Sequence, residues 1–390
     1  MNIKGQGFII GLLLTFLAGC NGQLPDWIKS DELVLKPEEL IDIPMEYIPN
    51  VLWSKKIGEG SKNEYATIHP LLVGDAVITT DYLGHVYSTK QASGERNWKI
   101  ALDEAIATGA GTNGEQIYIG TQKGGLIALD VKTGKFLWRR QVSSEILTPP
   151  QANMDTVVVR TADGKISAFS AKMGEGKWYY NRSIPLLSIR GDSTVVITGN
   201  TVIAGYANGR LVALSLDNGK ILWEKTISLP RGRTEVERLV DIDAPPVIRN
   251  SLIYVVAYQG HLSVLDIDTG RQLWSRELSS KSGLDVADDG TVYITDDQSY
   301  VWAIQADTGN GLWRQKSLLR RRVTAPAIAN DAIVVSDFEG YTHWLSKKDG
   351  RFIARQKIAD EAITSQAVID QSQMFILSQD GQLTAIAIPQ

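Results

Sequence analysis

Residues 123–138, KGGLIALDVKTGKFLW, read as two short β-strands joined by a tight turn: an apolar run, a break at Lys132-Thr133-Gly134, and a second run ending on Trp138. Asp, Asn or Thr followed by Gly between β-rich runs is hairpin chemistry, because glycine accepts the positive φ that tight turns require. The same message is written in other residues at NGRLVALSLDNGKILW (208–223) and QGHLSVLDIDTGRQLW (259–274). A glycine four residues ahead of a tryptophan recurs at Gly94/Trp98, Gly134/Trp138, Gly174/Trp178, Gly219/Trp223, Gly270/Trp274 and Gly309/Trp313, at intervals of 39 to 51 residues. Trp53 is a partial seventh copy with Asn50 ahead of it, and at Gly350 the glycine persists while Ala354 stands where the indole would be. Ten residues before these glycines runs a second series, Gly84, Gly124, Gly164, Gly209, Gly260 and Gly340, interrupted by Ser299 and continued by Gly381. A fixed period of this length is the signature of a repeat architecture.

Two further apolar runs precede the hairpin in each repeat, such as Ile333-Val334-Val335 and the VTAPAIA segment at 323–329, so each repeat holds about four short strands. That is the content of one propeller blade. No part of the mature chain shows a long 3.6-residue apolar period, so helices are expected to be nearly absent. The second glycine series counts eight blades. After Gly381 the chain runs QLTAIAIPQ with no closing Gly…Trp strand, whereas NVLWSKKI (50–57) is a Trp strand with no repeat before it. The expected fold is therefore an all-β, eight-bladed β-propeller of four-stranded antiparallel blades, with the N-terminal strand completing the last blade and removing the open sheet edges. Each tryptophan is read as packing: a buried indole hides roughly 150–250 Å², worth about 4–6 kcal/mol as an upper bound, and one per blade would pin each sheet to its neighbour.

Composition agrees with one large soluble domain: 43% hydrophobic and 22% charged residues, with a formal net charge of −4. Nothing in that balance points to nucleic acid, and the basic run Arg320-Arg321-Arg322 reads as a solvated loop. The first residues are a different object. Lys4 precedes a short apolar stretch from Phe8 to Phe16, too short to span a membrane and of signal-peptide form. It ends in Leu17-Ala18-Gly19-Cys20, which resembles the bacterial lipobox, and Cys20 is the chain's one cysteine. That resemblance implies cleavage before Cys20 and acylation of it, and three acyl chains would anchor the protein durably where one binds only marginally. Asn21 after the cysteine implies sorting to the outer membrane, facing the periplasm. The expected division is a signal peptide at 1–19, a lipidated cysteine and flexible tether at 20–48 with Pro25, Pro37 and Pro44, and the propeller at 49–390.

No catalytic constellation emerges. His69, His85, His261 and His343 lack metal-ligand spacing. Lipidation of Cys20 would leave no thiol nucleophile, and neither a G-x-S-x-G elbow nor a phosphate-binding loop occurs. The repeat at Ile127-Ala128-Leu129-Asp130…Thr133-Gly134…Trp138 is similar to that of the eight-bladed quinoprotein dehydrogenases, the PQQ-like repeat family. That resemblance implies an alternative, a periplasmic dehydrogenase using pyrroloquinoline quinone and calcium. Those enzymes are longer, carry inserts that form the cofactor chamber, and often set adjacent cysteines against the quinone. Here the repeats are nearly minimal, so no cofactor, metal or catalytic residue is expected, and fold alone does not give function.

Departures from the minimal repeat are more informative. From Trp to the next repeat glycine is 25 to 27 residues in most repeats, but 31 from Trp178 to Gly209 and 37 from Trp223 to Gly260 (the 31 from Trp53 to Gly84 falls in a repeat that is not their neighbour). Both expansions fall ahead of the innermost strand in consecutive repeats, which places them side by side on one face. The first holds Leu186, Leu187 and Ile189 beside Arg190; the second holds Arg238, Asp241 and Asp243. Apolar residues beside an arginine and two acids make a candidate partner patch in which a few residues would carry most of the energy. The competing reading packs the apolar residues into the blades and pairs Arg190 with Asp241 or Asp243.

Pro-Leu-Leu-Ser-Ile-Arg-Gly-Asp at 185–192, Glu-Arg-Leu-Val-Asp-Ile-Asp-Ala-Pro-Pro at 237–246 and DFEGYTHWLSKKDGRFIARQK at 337–357 together resemble the BamB family, the propeller lipoproteins of the β-barrel assembly (BAM) machinery. The resemblance covers essentially the whole chain. It implies a non-catalytic scaffold subunit that binds the periplasmic POTRA domains of the barrel-inserting subunit through Leu187, Ile189, Arg190, Asp241 and Asp243. It also implies that the scaffold helps unfolded outer-membrane proteins reach the insertase.

Overall fold

The computed structural model describes residues 36–61, 68–182, 193–230, 233–234 and 239–389. Those residues form eight four-stranded antiparallel sheets and no helix. Blades 1 to 7 follow chain order, at 71–101, 111–141, 151–180, 196–226, 247–277, 283–315 and 327–357. Blade 8 takes three strands from 368–387 and its outer strand from Val51–Lys56, which pairs antiparallel with Gln382–Ala387 (Trp53 opposite Ala385). The first strand of each blade is innermost: these strands approach one another around the ring, including Leu71–Val73 against Val368–Asp370 across the join. The expected propeller and its closure by the N-terminal strand are thus what the chain builds.

Local chemistry explains the repeat. Asp130 ends the third strand of blade 2, and its Oδ1 accepts from the Thr133 N–H (2.8 Å) and hydroxyl (2.6 Å). The Thr133 hydroxyl and N–H hold that carboxyl below its ordinary value. In blade 5 the cap is likewise Asp266, two residues ahead of the Asp268 of the Asp-Thr-Gly triplet. A β-bulge follows in every blade, just before the tryptophan position; in blade 2, Ala128 pairs with Trp138 but Leu129 with Phe136. A bulged residue is left out of the ladder, and here it is Leu137, turned to solvent like Leu52, Leu222, Leu273 and Leu312 at the same position.

The indole itself crosses to the next blade. Trp138 Nε1 donates to the carbonyl of Ala171 in blade 3 (3.1 Å), and the ring lies on Gly174. Gly174 has φ +69, and a Cβ there would stand 2.6 Å from Trp138 Cε3, so glycine is required twice over. The same bond recurs from Trp53 to Gln91, Trp98 to Val131, Trp178 to Leu216, Trp223 to Ile267, Trp274 to Ala306 and Trp313 to Lys347. Opposite each tryptophan on the third strand stands a smaller residue, Ser88, Ala128, Ala168, Ala213, Val264, Ala303 or Ala385.

In blade 7 the two sizes are exchanged. Ala354 is on the outer strand, and opposite it, fully buried, is Trp344. The topology accounts for the missing lock. Blade 8 receives its outer strand from the N-terminus, so it has no turn between third and outer strands and no turn glycine for an indole to cover.

Blade 7 also buries charge. Arg321 is 2% exposed, its Nε donating to Asp337 Oδ2 (2.7 Å) with a further bond to Glu339, so the middle of the Arg320-Arg321-Arg322 run is a core ion pair and not a solvated loop. Asp337 is brought under it by the turn between the second and third strands. His343, wholly buried, completes the group: its Nε2 lies 3.0 Å from Asp337 Oδ2, and Arg355 Nε donates to its Nδ1 (3.0 Å). An Nδ1 that accepts leaves the ring proton on Nε2, so the imidazole is neutral. Burial, with the Arg355 and Arg321 charges, holds it below its ordinary value of 6.5 despite the carboxylate. Burial pushes the Asp337 carboxyl up, but the bonds from His343 and Arg321 outweigh it and hold the group below its ordinary value. Residues 37–48, expected as part of a tether, belong to the same compact unit as the ring.

Two predictions follow from this packing. Trp138→Ala is expected to cost about 3–5 kcal/mol in urea unfolding, and Gly174→Ala about 1–2 kcal/mol for the left-handed backbone alone plus the contact with the ring. Because the contact vanishes once the indole is gone, the double variant should cost at least about 0.5 kcal/mol less than the sum; additive costs would refute the pairing. For His343, the unfolded chain takes up a proton as pH falls through 6.5 while the native state does not, so its contribution is full above 6.5 and is lost below. Asp337 has the same proton preference but lower down, so its contribution persists until the pH falls into the carboxylate range. Between pH 7 and 5.5 the wild type should therefore lose about 1 kcal/mol more stability than His343→Gln; equal losses would count against a neutral buried imidazole.

Candidate partner interface

In blades 1, 4, 5 and 7 the chain leaving the outer strand donates a backbone bond to the turn glycine of its own blade, as Leu102 to Gly84, Ile227 to Gly209, Leu278 to Gly260 and Ile358 to Gly340. The blade-to-blade connections and these turns therefore share one face. Crowding there explains the second glycine series: a Cβ on Gly209 would lie 2.2 Å from the Ser228 carbonyl. Both expanded connections are on this face, each entering the innermost strand of the next blade, at Val196–Thr198 and Val247–Arg249.

They touch. Ser193 Oγ, at the end of the first connection, donates to the Ala244 carbonyl in the second (3.2 Å). Beneath them Arg160, buried at the end of an otherwise apolar strand, donates to the Ser193 and Gly205 carbonyls and faces the Tyr206 ring at 4.7 Å. Arg182 lies 5.5 Å over the same ring and pairs with Glu224 (2.9 Å), which also binds Arg210. The Arg182 bond outweighs burial at Glu224 and, with Arg210, pulls its carboxyl down to about 2. These arginines were not singled out from sequence; an arginine closing the apolar run TVVVR (156–160) was the available signal.

Asp241 and Asp243 sit on the second connection. The Asp241 carbonyl accepts from Tyr258 N–H (2.7 Å) in the adjacent turn of blade 5, and the residue is 3% exposed, whereas Asp243 is half-buried. Between them Ile242 is fully buried, its Cγ2 2.4 Å from where a Gly205 Cβ would be, and Val240 and Ala244 are also in the core. The apolar residues of this stretch thus pack into the blades. Leu187, Ile189, Arg190 and Arg238 lie outside the described residues, as does any pairing of Arg190 with the two acids. Earlier in the same connection Leu229 is 66% exposed, beside a cleft of about 350 Å³ lined also by Gln259, His261 and Glu277. A larger cleft, about 470 Å³, is formed by Ile100, Phe136 and Arg139 of the outer strands of blades 1 and 2 and by Leu102 and Glu104 of their connection. Among the described residues no group of three His, Cys, Asp or Glu side chains is placed to hold a metal ion.

Comparison with known proteins places this geometry. The sequence profile of the family described as "Outer membrane protein assembly factor BamB" matches residues 83–315 and 298–390. The outer membrane protein assembly factor BamB of Escherichia coli strain K12 is 34% identical over 387 residues, covering 96% of this chain and 97% of that protein. The crystal structure of BamB from Moraxella catarrhalis superimposes with a TM-score of 0.79 at 28% identity, covering 87% of this chain and all of that one. The quinohemoprotein alcohol dehydrogenase of Comamonas testosteroni shares the fold alone: TM-score 0.68 at 14% identity, over 87% of this chain and 76% of that one. With its eight blades, its repeat spacing and its whole-length likeness to these assembly factors, the chain belongs to the BamB family.

Proposed function

We propose that the protein is a non-catalytic scaffold subunit of outer-membrane protein assembly that binds the POTRA domains of the barrel-inserting subunit. In this reading Leu187, Ile189, Arg190, Asp241 and Asp243 carry the contact, and the partner's complex helps β-barrel proteins fold and insert. The observation that supports it best is the meeting of the two expanded connections, Ser193 on Ala244, at one place on one face. Apart from the Trp53–Gly84 stretch at the N-terminal end, the other repeats are close to minimal, and extra chain in two neighbouring connections fits a role other than closing the ring. Residues 240–244 of the second connection are held by the Tyr258 backbone bond to Asp241 and by buried Val240, Ile242 and Ala244, which sets the half-buried Asp243 on a fixed stretch of chain and spares ordering entropy on binding. Relatives named as outer membrane protein assembly factors support the same role. The rigid ring would orient the partner's domains without touching a substrate chemically. Acylation at Cys20 would hold it on the periplasmic side of the outer membrane.

Affinity purification of the tagged protein from solubilised envelopes tests the interface. Recovery of a large outer-membrane barrel protein with POTRA domains is expected, and Arg190→Ala or Asp243→Ala should weaken it at least about tenfold, as for interface residues that carry much of the energy. Asp241→Ala should do the same, with its melting temperature checked because the residue is buried. Full recovery from all three variants would sink the assignment of this face. For the anchor, Cys20→Ser should abolish metabolic labelling with palmitate and release the protein from the membrane fraction; a variant that stays labelled would exclude Cys20 as the acylated residue.

A further inference from the structure

The join between blades 7 and 8 is the one blade boundary without an indole on a glycine, and it is where residues 37–48 lie. We propose that these residues are a strap that locks this join in place of the missing tryptophan, ahead of the first strand at Val51–Lys56. The seat is the outer edge of blade 7, and its occupant is this chain's own segment, PEELIDIPMEYI.

Charge complementarity favours that occupant. The segment carries Glu38, Glu39, Asp42 and Glu46 and no base, and the seat presents Arg321, Arg351 and Arg355. Arg321 Nη1 donates to the Glu38 carbonyl (3.0 Å), Arg355 Nη1 to the Ile41 carbonyl (2.7 Å), and Arg351 pairs with Glu46. Backbone bonds pin both ends: Glu38 N–H to the Leu319 carbonyl (2.9 Å) and Glu46 N–H to the Ile353 carbonyl (2.8 Å). The order of contacts, 41 with 355 and 46 with 353, runs the segment antiparallel to the outer strand Phe352–Lys357 and covers an edge that would otherwise be open to pairing.

The apolar side completes the lock. Tyr47 meets Trp344 edge-on, ring centroids 6.5 Å apart at 77°. It joins a core cluster drawn from both blades, with Ile353 and Ala354 of blade 7 and Met374 and Ile386 of blade 8. An indole at 354 would find no glycine to cover, and with alanine there the join is closed by Trp344 and Tyr47 together. Leu40 packs at the other end, on the cluster of Leu318, Leu345 and Phe352. Seating the segment removes about 40 Å from the reach of anything attached before Pro37, at about 3.3 Å per residue.

Hydrogen exchange with mass spectrometry on the full chain tests this. Residues 37–48 of the wild type should exchange at least about tenfold more slowly than an unstructured peptide. Tyr47→Ala should speed exchange about tenfold or more in the strap and also in Phe352–Lys357 and Gln382–Ala387, leaving Phe136–Gln141 in blade 2 unchanged. Tyr47→Phe should change nothing, because the Tyr47 hydroxyl has no hydrogen-bond partner among the described residues. Glu46→Pro removes one pinning N–H without touching the core, and should loosen the strap and the same two strands even if Tyr47→Ala fails to fold. Random-coil exchange of 37–48 in the wild type would overturn the proposal. So would a Glu46→Pro variant that frees the strap while both strands stay protected.

Discussion

Everything in this ring depends on one contact repeated around it: an indole lying on the turn glycine of the next blade, with its N–H bonded to a carbonyl three residues ahead of that glycine. Four-stranded sheets stacked face to face could slide, since apolar packing is not directional. The hydrogen bond and the absent Cβ at positions such as Gly174 fix both the distance and the register of neighbouring blades. The bulge before each tryptophan turns the indole toward the neighbour and sends the preceding leucine to solvent. The exposed leucines at 52, 137, 222, 273 and 312 are thus a by-product of that geometry, one to a blade around the rim, and not a contiguous apolar patch.

Where the ring is joined the contact cannot be made, and the chain solves the problem differently. The outer strand of blade 8 comes from the far end of the sequence, so the turn that would carry a glycine does not exist. The large residue moves across the strand pair to Trp344, the small one to Ala354, and the volume is kept. Volume-conserving exchanges are the ones a packed core tolerates best. Beside it buried Arg321 is paired with buried Asp337, as burial of ions demands, and His343 links the pair to half-buried Arg355.

The face that carries the two expanded connections is built on the same frame. Connections from outer to innermost strand cross over the turns of their own blades, and additional chain inserted there meets its neighbour without disturbing a sheet. Propellers that share only the fold, such as the quinohemoprotein dehydrogenase, show why the blades do not decide the chemistry. In this chain the two long connections fall over blades whose arginines and aromatic rings support them from below.

Blade number, strand content, ring closure and the place of the two expansions were legible in the sequence because each is a matter of spacing, and spacing is periodic. So was the packing role of the tryptophans, though not which glycine each covers: Trp138 serves Gly174 of the following repeat, 36 residues on, rather than the Gly134 beside it in sequence. Burial of Arg321 was hidden because its partner Asp337 is 16 residues away and reaches it only through the turn between two strands. Trp344 was not singled out from the sequence, and only the cross-strand register sets it against Ala354. Asp241 looked like a surface acid, and its burial depends on the Tyr258 turn folding over it. Sequence alone determined the architecture, since local turn chemistry and alternation act within a few residues. Tertiary structure decided which charges are buried, which rings meet and where residues 37–48 rest, because those depend on contacts between segments that only ring closure brings together.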